Sequence, residues 1–282
     1  MPQCDLSFDC VLQIIRYQLF MNFVRYYPIA GLAFFVLYIW KKKSLWPYKI
    51  QDKLPKWEHI SREIKQSAVT LVVFSFIGLS VFILSKLGYL PVKVYRDADK
   101  FGGVPWMIAS FVLLTIWHET WFYWAHRLMH HKKIYPHVHL MHHKSVNPTP
   151  IAAYNFHWTE AFVEALYLPI FICVVPLYFK VMIFHTFYAM ILNIIWHFGF
   201  EFFPKGFASH PVWKWISTST HHNMHHQKFN GNYGLYFNFW DRVMGTNFPN
   251  YESYYDTVVE KRNHPVSQEI PSFAIEPIDF FG

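Results

Sequence analysis

The chain has 282 residues and a formal net charge of +7; 53% of its residues are hydrophobic, 21% aromatic and only 15% charged. A soluble domain carries roughly 25% charged residues, and a disordered coil tolerates far less apolar surface, so an ordinary cytosolic globule and a disordered chain are both excluded. Histidine is the outlying count, at 18, as many as Asp and Glu together. Three cysteines, Cys4, Cys10 and Cys173, are too few and too scattered for a disulfide framework or a thiolate metal site. The basic residues sit beside apolar runs, which suits membrane orientation rather than nucleic acid binding.

In chain order, the first apolar run covers 19–40 and is interrupted only by Arg25; the second covers 67–85 and the third 104–125. At about 1.5 Å per residue, runs of about 20 residues match a hydrocarbon core of roughly 30 Å, so each predicts a spanning helix. A fourth apolar region, 161–200, is about twice as long and breaks at Pro176 and Lys180, which predicts a hairpin that crosses and returns. The N-terminus lacks the charged, apolar, small-residue pattern of a cleaved signal peptide, so the first helix is expected to be retained. The expected fold is an all-α integral membrane protein with four or five transmembrane helices. Segment 41–66 holds eight Lys and Arg against four in 86–103, so the positive-inside rule places 41–66 in the cytoplasm. Alternation then places 126–157 and 201–282 there too, as a histidine-rich helical cap. No internal repeat, low-complexity tract or flexible linker interrupts this organisation.

Thirteen of the 18 histidines fall in two windows, 118–143 and 210–226. The first window carries His126, His130 and His131, then His139, His142 and His143; the second carries His221, His222, His225 and His226. Residues three and four apart share a helix face, so each cluster aims two or three imidazoles at a common point. Neutral imidazole suits iron, zinc, copper and nickel. Eight or more such rings exceed the need of one tetrahedral ion, which points to two metals. His118-Glu119 begins a zinc-protease HExxH pattern, but Phe122 stands where the second ligand is required.

These residues resemble the sterol desaturase and fatty acid hydroxylase superfamily of membrane di-iron oxidases. The resemblance runs over about 119–246 and is closest in motif to the carbon-5 sterol desaturases. Glu119-Thr-Trp-Phe-Tyr-Trp-Ala-His126-Arg127 is similar to the family's acidic residue, aromatic stretch and first box, and His139 to His143 to its second. Pro148-Thr-Pro150 with Phe156-His157 and Glu160 resembles the carbon-5 branch. His197 takes the place of the lone histidine after the hairpin, and His221 to His226 that of the third box. Asn232-Tyr-Gly234 and Trp240-Asp-Arg242 resemble the tail that follows. The first two helices show no match. The resemblance therefore divides the chain into 1–103, transmembrane helices with a cytosolic connector, and 104–282, the catalytic domain.

The resemblance implies metal ligands at His126, His130 or His131, His139, His142, His143, His197, His222, His225 and His226. Relatives use first-box spacings of four or five, and this chain offers both. Glu201 stands four residues after His197, where some relatives carry another histidine. Glu119, His157, Glu160, Glu201 and His221 are the expected outer partners of the ligands. His59, His118, His137, His185, His210 and His264 are expected to be structural. The aromatics Trp117, Trp121, Phe122, Tyr123 and Trp124 suit either a substrate entrance or an interfacial belt.

The implied chemistry is oxidation of a lipid C–H bond by two iron ions and dioxygen, giving desaturation or hydroxylation. No haem-attachment motif or nucleotide-binding glycine fingerprint occurs, so electrons are expected from a separate small cytochrome or ferredoxin with its reductase. The metal site is expected on the cytoplasmic face of a bacterial inner membrane or the endoplasmic reticulum. Two other classes fit histidine-rich faces: a zinc-dependent membrane hydrolase, since such sites also take zinc, and a metal transporter. The transporter normally needs ionisable residues inside its spans, and the middles of the second and third runs have none.

Overall fold

The computed structural model describes residues 5–263, 270, 271 and 273; Cys4 and His264 lie outside the described residues. Among the described residues the chain is all-α apart from one pair of two-residue strands. Helix α1 (Phe8–Phe34) begins where the Ser7 hydroxyl accepts the Cys10 N–H at 3.4 Å, with Asp9 in its first turn. Both features satisfy the exposed amides and positive dipole end of a helix start. The helix continues into a wider turn over Phe35–Trp40. Helix α2 (Trp57–Lys86) returns, and α3 (Val104–Met129) starts at Gly103 with a proline in its first turn, where the missing N–H costs nothing.

The fourth apolar region is a hairpin with a broken first limb, α4 (Trp158–Ala165) and α5 (Tyr167–Val174), and an unbroken second limb, α6 (Phe179–Trp196). Its bend is fixed by parallel pairing of β1 (Val94–Tyr95) with β2 (Leu177–Tyr178). Trp106 Nε1 also donates to the Pro176 carbonyl at 3.1 Å. The 86–103 loop and the hairpin bend therefore share one end of the helices. The histidine boxes lie at the other end, with α7 (Ser219–Lys228) and α8 (Tyr251–Glu260).

Among the described residues, three helices are long and apolar enough to cross a membrane: Phe8–Trp40, Trp57–Lys86 and Phe179–Trp196. These helices bear out the expected all-α membrane protein. Helix α3 has the length, at 26 residues, but His118 and Glu119 in its second half lower its apolarity. The first hairpin limb is two eight-residue helices joined through Leu166, whose φ of −69° and ψ of −19° are still helical. Outward faces of the long helices expose Phe20, Leu32, Phe76, Ile108, Ile116 and Phe184, a girdle that water would not tolerate and lipid would.

The connector between α1 and α2 does not hang free. Lys49, fully buried, donates to Asn147 Oδ1 at 3.0 Å and to the Gly199 carbonyl at 3.2 Å. Burial holds its ammonium down to about 7. Gln51 Nε2 donates to the Val146 carbonyl at 2.8 Å and to Asn223 Oδ1 at 2.9 Å. On α2, buried Glu63 accepts from the hydroxyls of Ser145, at 2.7 Å, and Thr149. Gly199 has φ of 71°, and a Cβ there would lie 2.6 Å from the Tyr38 hydroxyl and 3.1 Å from the Pro148 carbonyl. Only glycine fits that approach. The N-terminal helices thus buttress the loops that carry the second box, α7 and the end of α6.

Candidate metal centre

The boxes ride on different pieces of chain. His126 sits in the last turn of α3 and His130 is its C-cap. His139, His142 and His143 occupy two consecutive short turns, Tyr135–Val138 and Leu140–His143, with His139 at their junction. His197 caps the C-terminus of α6. His222, His225 and His226 lie on α7, where the Thr218 hydroxyl accepts the His221 N–H at 3.1 Å as N-cap.

These rings converge as two groups. One holds His126, His130, His139, His143 and His225; the other holds His142, His197, His222 and His226. Within each group, one ring nitrogen per residue lies within 4.8 Å of the others. The expectation of one common point per box is corrected here. Residues four apart share a face while immediate neighbours diverge, so His139 and His143 enter the first group and His142 the second. On α7, His222 and His226 enter the second group and His225 the first. The groups abut, with ring centroids of His142 and His226 4.5 Å apart and those of His143 and His226 5.0 Å apart.

The hydrogen bonds orient the rings. His126 Nδ1 donates to the Tyr233 carbonyl at 2.8 Å, His197 Nδ1 to that of Asn193 at 2.8 Å, and His225 Nδ1 to that of Gly231 at 2.7 Å. A neutral imidazole that donates through Nδ1 carries a lone pair on Nε2, so these three rings aim lone pairs inward. Nε2 atoms crowd at 2.9 Å between His126 and His139, 3.0 Å between His130 and His143, and 3.0 Å between His197 and His222. Buried ring nitrogens of His142, His143, His222, His225 and His226 have no partner among the described residues. Burial, and after it the neighbouring imidazoles, holds His142, His222, His225 and His226 well below the usual imidazole range. Neutral, converging, partly unpartnered imidazoles form the donor set that a divalent transition metal takes.

The remaining predicted site residues distribute as follows. His131 is exposed and outside both groups, while His130 is inside. Glu160 is buried with Oε1 2.7 Å from His139 Nδ1. Glu119 accepts the N–H groups of Leu235, Tyr236 and Phe237 at 3.2, 2.6 and 3.3 Å, so it holds the loop that follows the His126 acceptor Tyr233 rather than a ring. Glu201 accepts from the Thr220 N–H at 3.0 Å and its hydroxyl at 2.8 Å, tying the chain after α6 to the start of α7. His221 is buried 3.8 Å from Asp241 Oδ2, outside both groups. His157 is half-buried against the Thr159 hydroxyl at 2.7 Å.

Sequence reasoning passed over Lys49, Gln51 and Glu63, which act on the site through contacts some 80 to 170 residues away in the chain. The only signal was polar residues beside apolar runs. Asp241 was noted only as part of the tail motif, yet its carboxylate accepts the N–H groups of Tyr233 and Gly234, both at 2.8 Å.

A cavity of about 770 Å³ lies among the long helices. Met182, Thr186, Ala189 and Asn193 of α6 line it at helical spacing, and His197 continues that face. His118 and Phe122 of α3 line it, with His126 one turn further. The cavity therefore runs along both helices toward the histidine groups. Of the aromatics considered for an entrance, Phe122 lines it. Trp117 and Trp121 instead donate to the carbonyls of Tyr167 and Val163, at 2.8 and 3.1 Å.

A family profile described as fatty acid hydroxylase matches residues 111–246. Curated relatives include a lathosterol oxidase of Rattus norvegicus, 32% identical over 188 residues, which are 66% of this chain and 60% of the relative. A Delta(7)-sterol 5(6)-desaturase of Gibberella zeae is 30% identical over 187 residues, 66% of this chain and 55% of the relative. The lathosterol oxidase of Homo sapiens is 30% identical over 188 residues, 66% of this chain and 60% of the relative. The match thus spans about 60% of the length of these curated relatives. No solved structure matches.

Proposed function

We propose, on the premise that this chain belongs to the sterol desaturase and fatty acid hydroxylase superfamily, that it is a membrane lipid oxidase with two irons. The nine ligands we assign are His126, His130, His139, His143 and His225 for one ion, and His142, His197, His222 and His226 for the other. The observation that carries this is the convergence of these rings into two abutting groups at the head of a lipid-sized cavity. Two irons held by these residues would supply dioxygen activation and hydrogen abstraction from an unactivated carbon. Net desaturation removes two hydrogens; hydroxylation inserts one oxygen.

The protein's own contributions are separate. The Tyr233, Asn193 and Gly231 carbonyls and the Glu160 carboxyl hold four rings in one tautomer, which raises ligand basicity. The cavity orients the substrate carbon below His197 and excludes water from the oxidant. Exposed Lys132, Lys133 and Lys144 beside the boxes suit an acidic electron donor, a small cytochrome or ferredoxin supplied by a reductase. The positive-inside rule puts this face in the cytoplasm.

A zinc hydrolase is the alternative class, since imidazole sets also take zinc, but a group of four would close a tetrahedral zinc and a group of five exceeds it, whereas hydrolysis needs an open position. Lipid mass spectrometry of cells with and without the protein tests the proposal. It expects a lipid that loses two hydrogens or gains one oxygen, in a dioxygen-dependent manner; hydrolysed lipid, or an unchanged lipidome together with no oxygen uptake by the purified protein, would reject it.

A further inference from the structure

The cavity wall is not uniformly apolar. Gln18, Asn22 and Arg25 line it from α1, at spacings of four and three that put them on one face. The Arg25 guanidinium is held on two sides: Nη2 donates to Asn22 Oδ1 at 2.9 Å and Nη1 to the Thr186 hydroxyl of α6 at 3.2 Å. Asn22 is fixed in turn by Nδ2 donating to the Ser75 hydroxyl of α2 at 2.8 Å. Three helices therefore set the position of this one cation.

Its hydrogen bonding is incomplete. A guanidinium has five N–H donors; the two bonds above use two, Nε is enclosed and has no partner among the described residues, and two Nη N–H groups remain. Among the described residues no carboxylate pairs with Arg25. Gln18 Oε1, two turns away on the same face, is packed against Gly78 of α2 and has no hydrogen-bond partner among the described residues. An ionised side chain within a spanning helix is costly and normally paired. The remaining guanidinium N–H donors of a residue that lines the cavity suit a ligand oxygen that accepts from them.

We infer that Arg25, propped by Asn22 and Thr186, binds the oxygen-bearing end, a hydroxyl or carboxyl, of the lipid whose hydrocarbon reaches the histidine groups. Thr186 and His197 are eleven residues apart on α6, about 16 Å at the helical rise. The bound oxygen is thus fixed at a set distance from the metals, and that distance selects which carbon is presented. The inference rests on the reading of this cavity as the substrate site. It adds a role for the N-terminal helix, which lies outside the matched segment 111–246.

The test uses the purified full-length, iron-loaded protein in nanodiscs and two matched probe pairs: stearic acid against octadecane, and a hydroxysterol against the same sterol lacking the hydroxyl oxygen. Binding is read by displacement of a dansyl-tagged acyl lipid. One pair should show a preference of about tenfold or more for the free hydroxyl or carboxyl, the scale of a hydrogen bond to a charged donor. Which pair does so separates a sterol from a fatty-acid source. Arg25→Met should abolish the preference and Arg25→Lys should keep part of it. Thr186→Val, which removes only the prop, should reduce it with melting temperature and iron content unchanged. Equal binding within both pairs by the unsubstituted protein, or an unchanged preference in Arg25→Met, overturns the inference. Preference without lipid oxidation would reject the oxidase reading and leave the site standing; oxidation without preference would do the reverse.

Discussion

The bond between Glu160 and His139 offers a perturbation whose effects on metal and on fold should run in opposite directions. Glu160 is 1% exposed, with Oε1 2.7 Å from His139 Nδ1 and Oε2 without a partner. Burial and the nearby Glu164 push its carboxyl well above the usual carboxylate range, while burial and neighbouring rings push His139 well below the imidazole range. Without a cation the pair is neutral. A cation on Nε2 reverses this, favouring an Nδ1–H that donates to a carboxylate. Glu160→Ala removes that partner and should weaken metal binding in the group of five by roughly 10- to 100-fold, or roughly 1.4 to 2.7 kcal/mol. Glu160→Gln keeps an acceptor but loses the charge, and should cost about tenfold. The chelated Glu160→Gln protein should melt no lower than chelated unsubstituted protein, because the carboxamide N–H can donate to His139 Nδ1 as the neutral carboxyl does. The assay is chelator titration with metal counted by mass spectrometry, paired with thermal melts after chelation. Superimposed titrations for the unsubstituted protein and Glu160→Ala would refute the reasoning, as would equal loss of both metals.

Three further outcomes follow from the geometry. Gly199→Ala forces a side chain into a left-handed position 2.6 Å from the Tyr38 hydroxyl and 3.1 Å from the Pro148 carbonyl; it should destabilise by roughly 2 to 4 kcal/mol, and an unchanged melting temperature would contradict this. Burial holds His197 and His221 down to about 4, so between the usual value of about 6.5 and about 4 the unfolded chain binds more protons. Stability present above that window is lost as pH falls through it, together with metal; a melt that is flat or rises on acidification would sink the assignment. Lys49, held down to about 7 against a usual value of 10.5, makes stability rise with pH between those values. Lys49→Met should flatten that slope, read as melting temperature against pH.

What the sequence made legible is local. Apolar runs, the break at Pro176 and the three boxes are readable because each depends on residues within a turn or two. The all-α fold and the family resemblance follow from them. How uninterrupted each apolar run is as a helix is less legible: His118 and Glu119 lie in the second half of α3, and the first hairpin limb divides after Ala165. The division of the boxes was legible in principle, since neighbours on a helix diverge. Which ring faces which group, however, depends on how α3, α6 and α7 pack. His130 and His131 were equal in sequence; the end of α3 turns one inward and leaves the other exposed. The supports of the site were not legible at all. Lys49 reaches Gly199, Gln51 reaches Asn223 and Glu63 reaches Ser145, and nothing in the spacing of those residues encodes the pairing.

The most direct test is the iron content of the purified full-length protein beside that of His197→Ala and His225→Ala. Two separate groups predict two irons per unsubstituted chain. They predict one in each variant, with the loss at different ions distinguishable by Mössbauer parameters, and no lipid oxidation by either variant. A single metal per unsubstituted chain, or a variant that keeps both metals and oxidises lipid at the unsubstituted rate, would contradict the account.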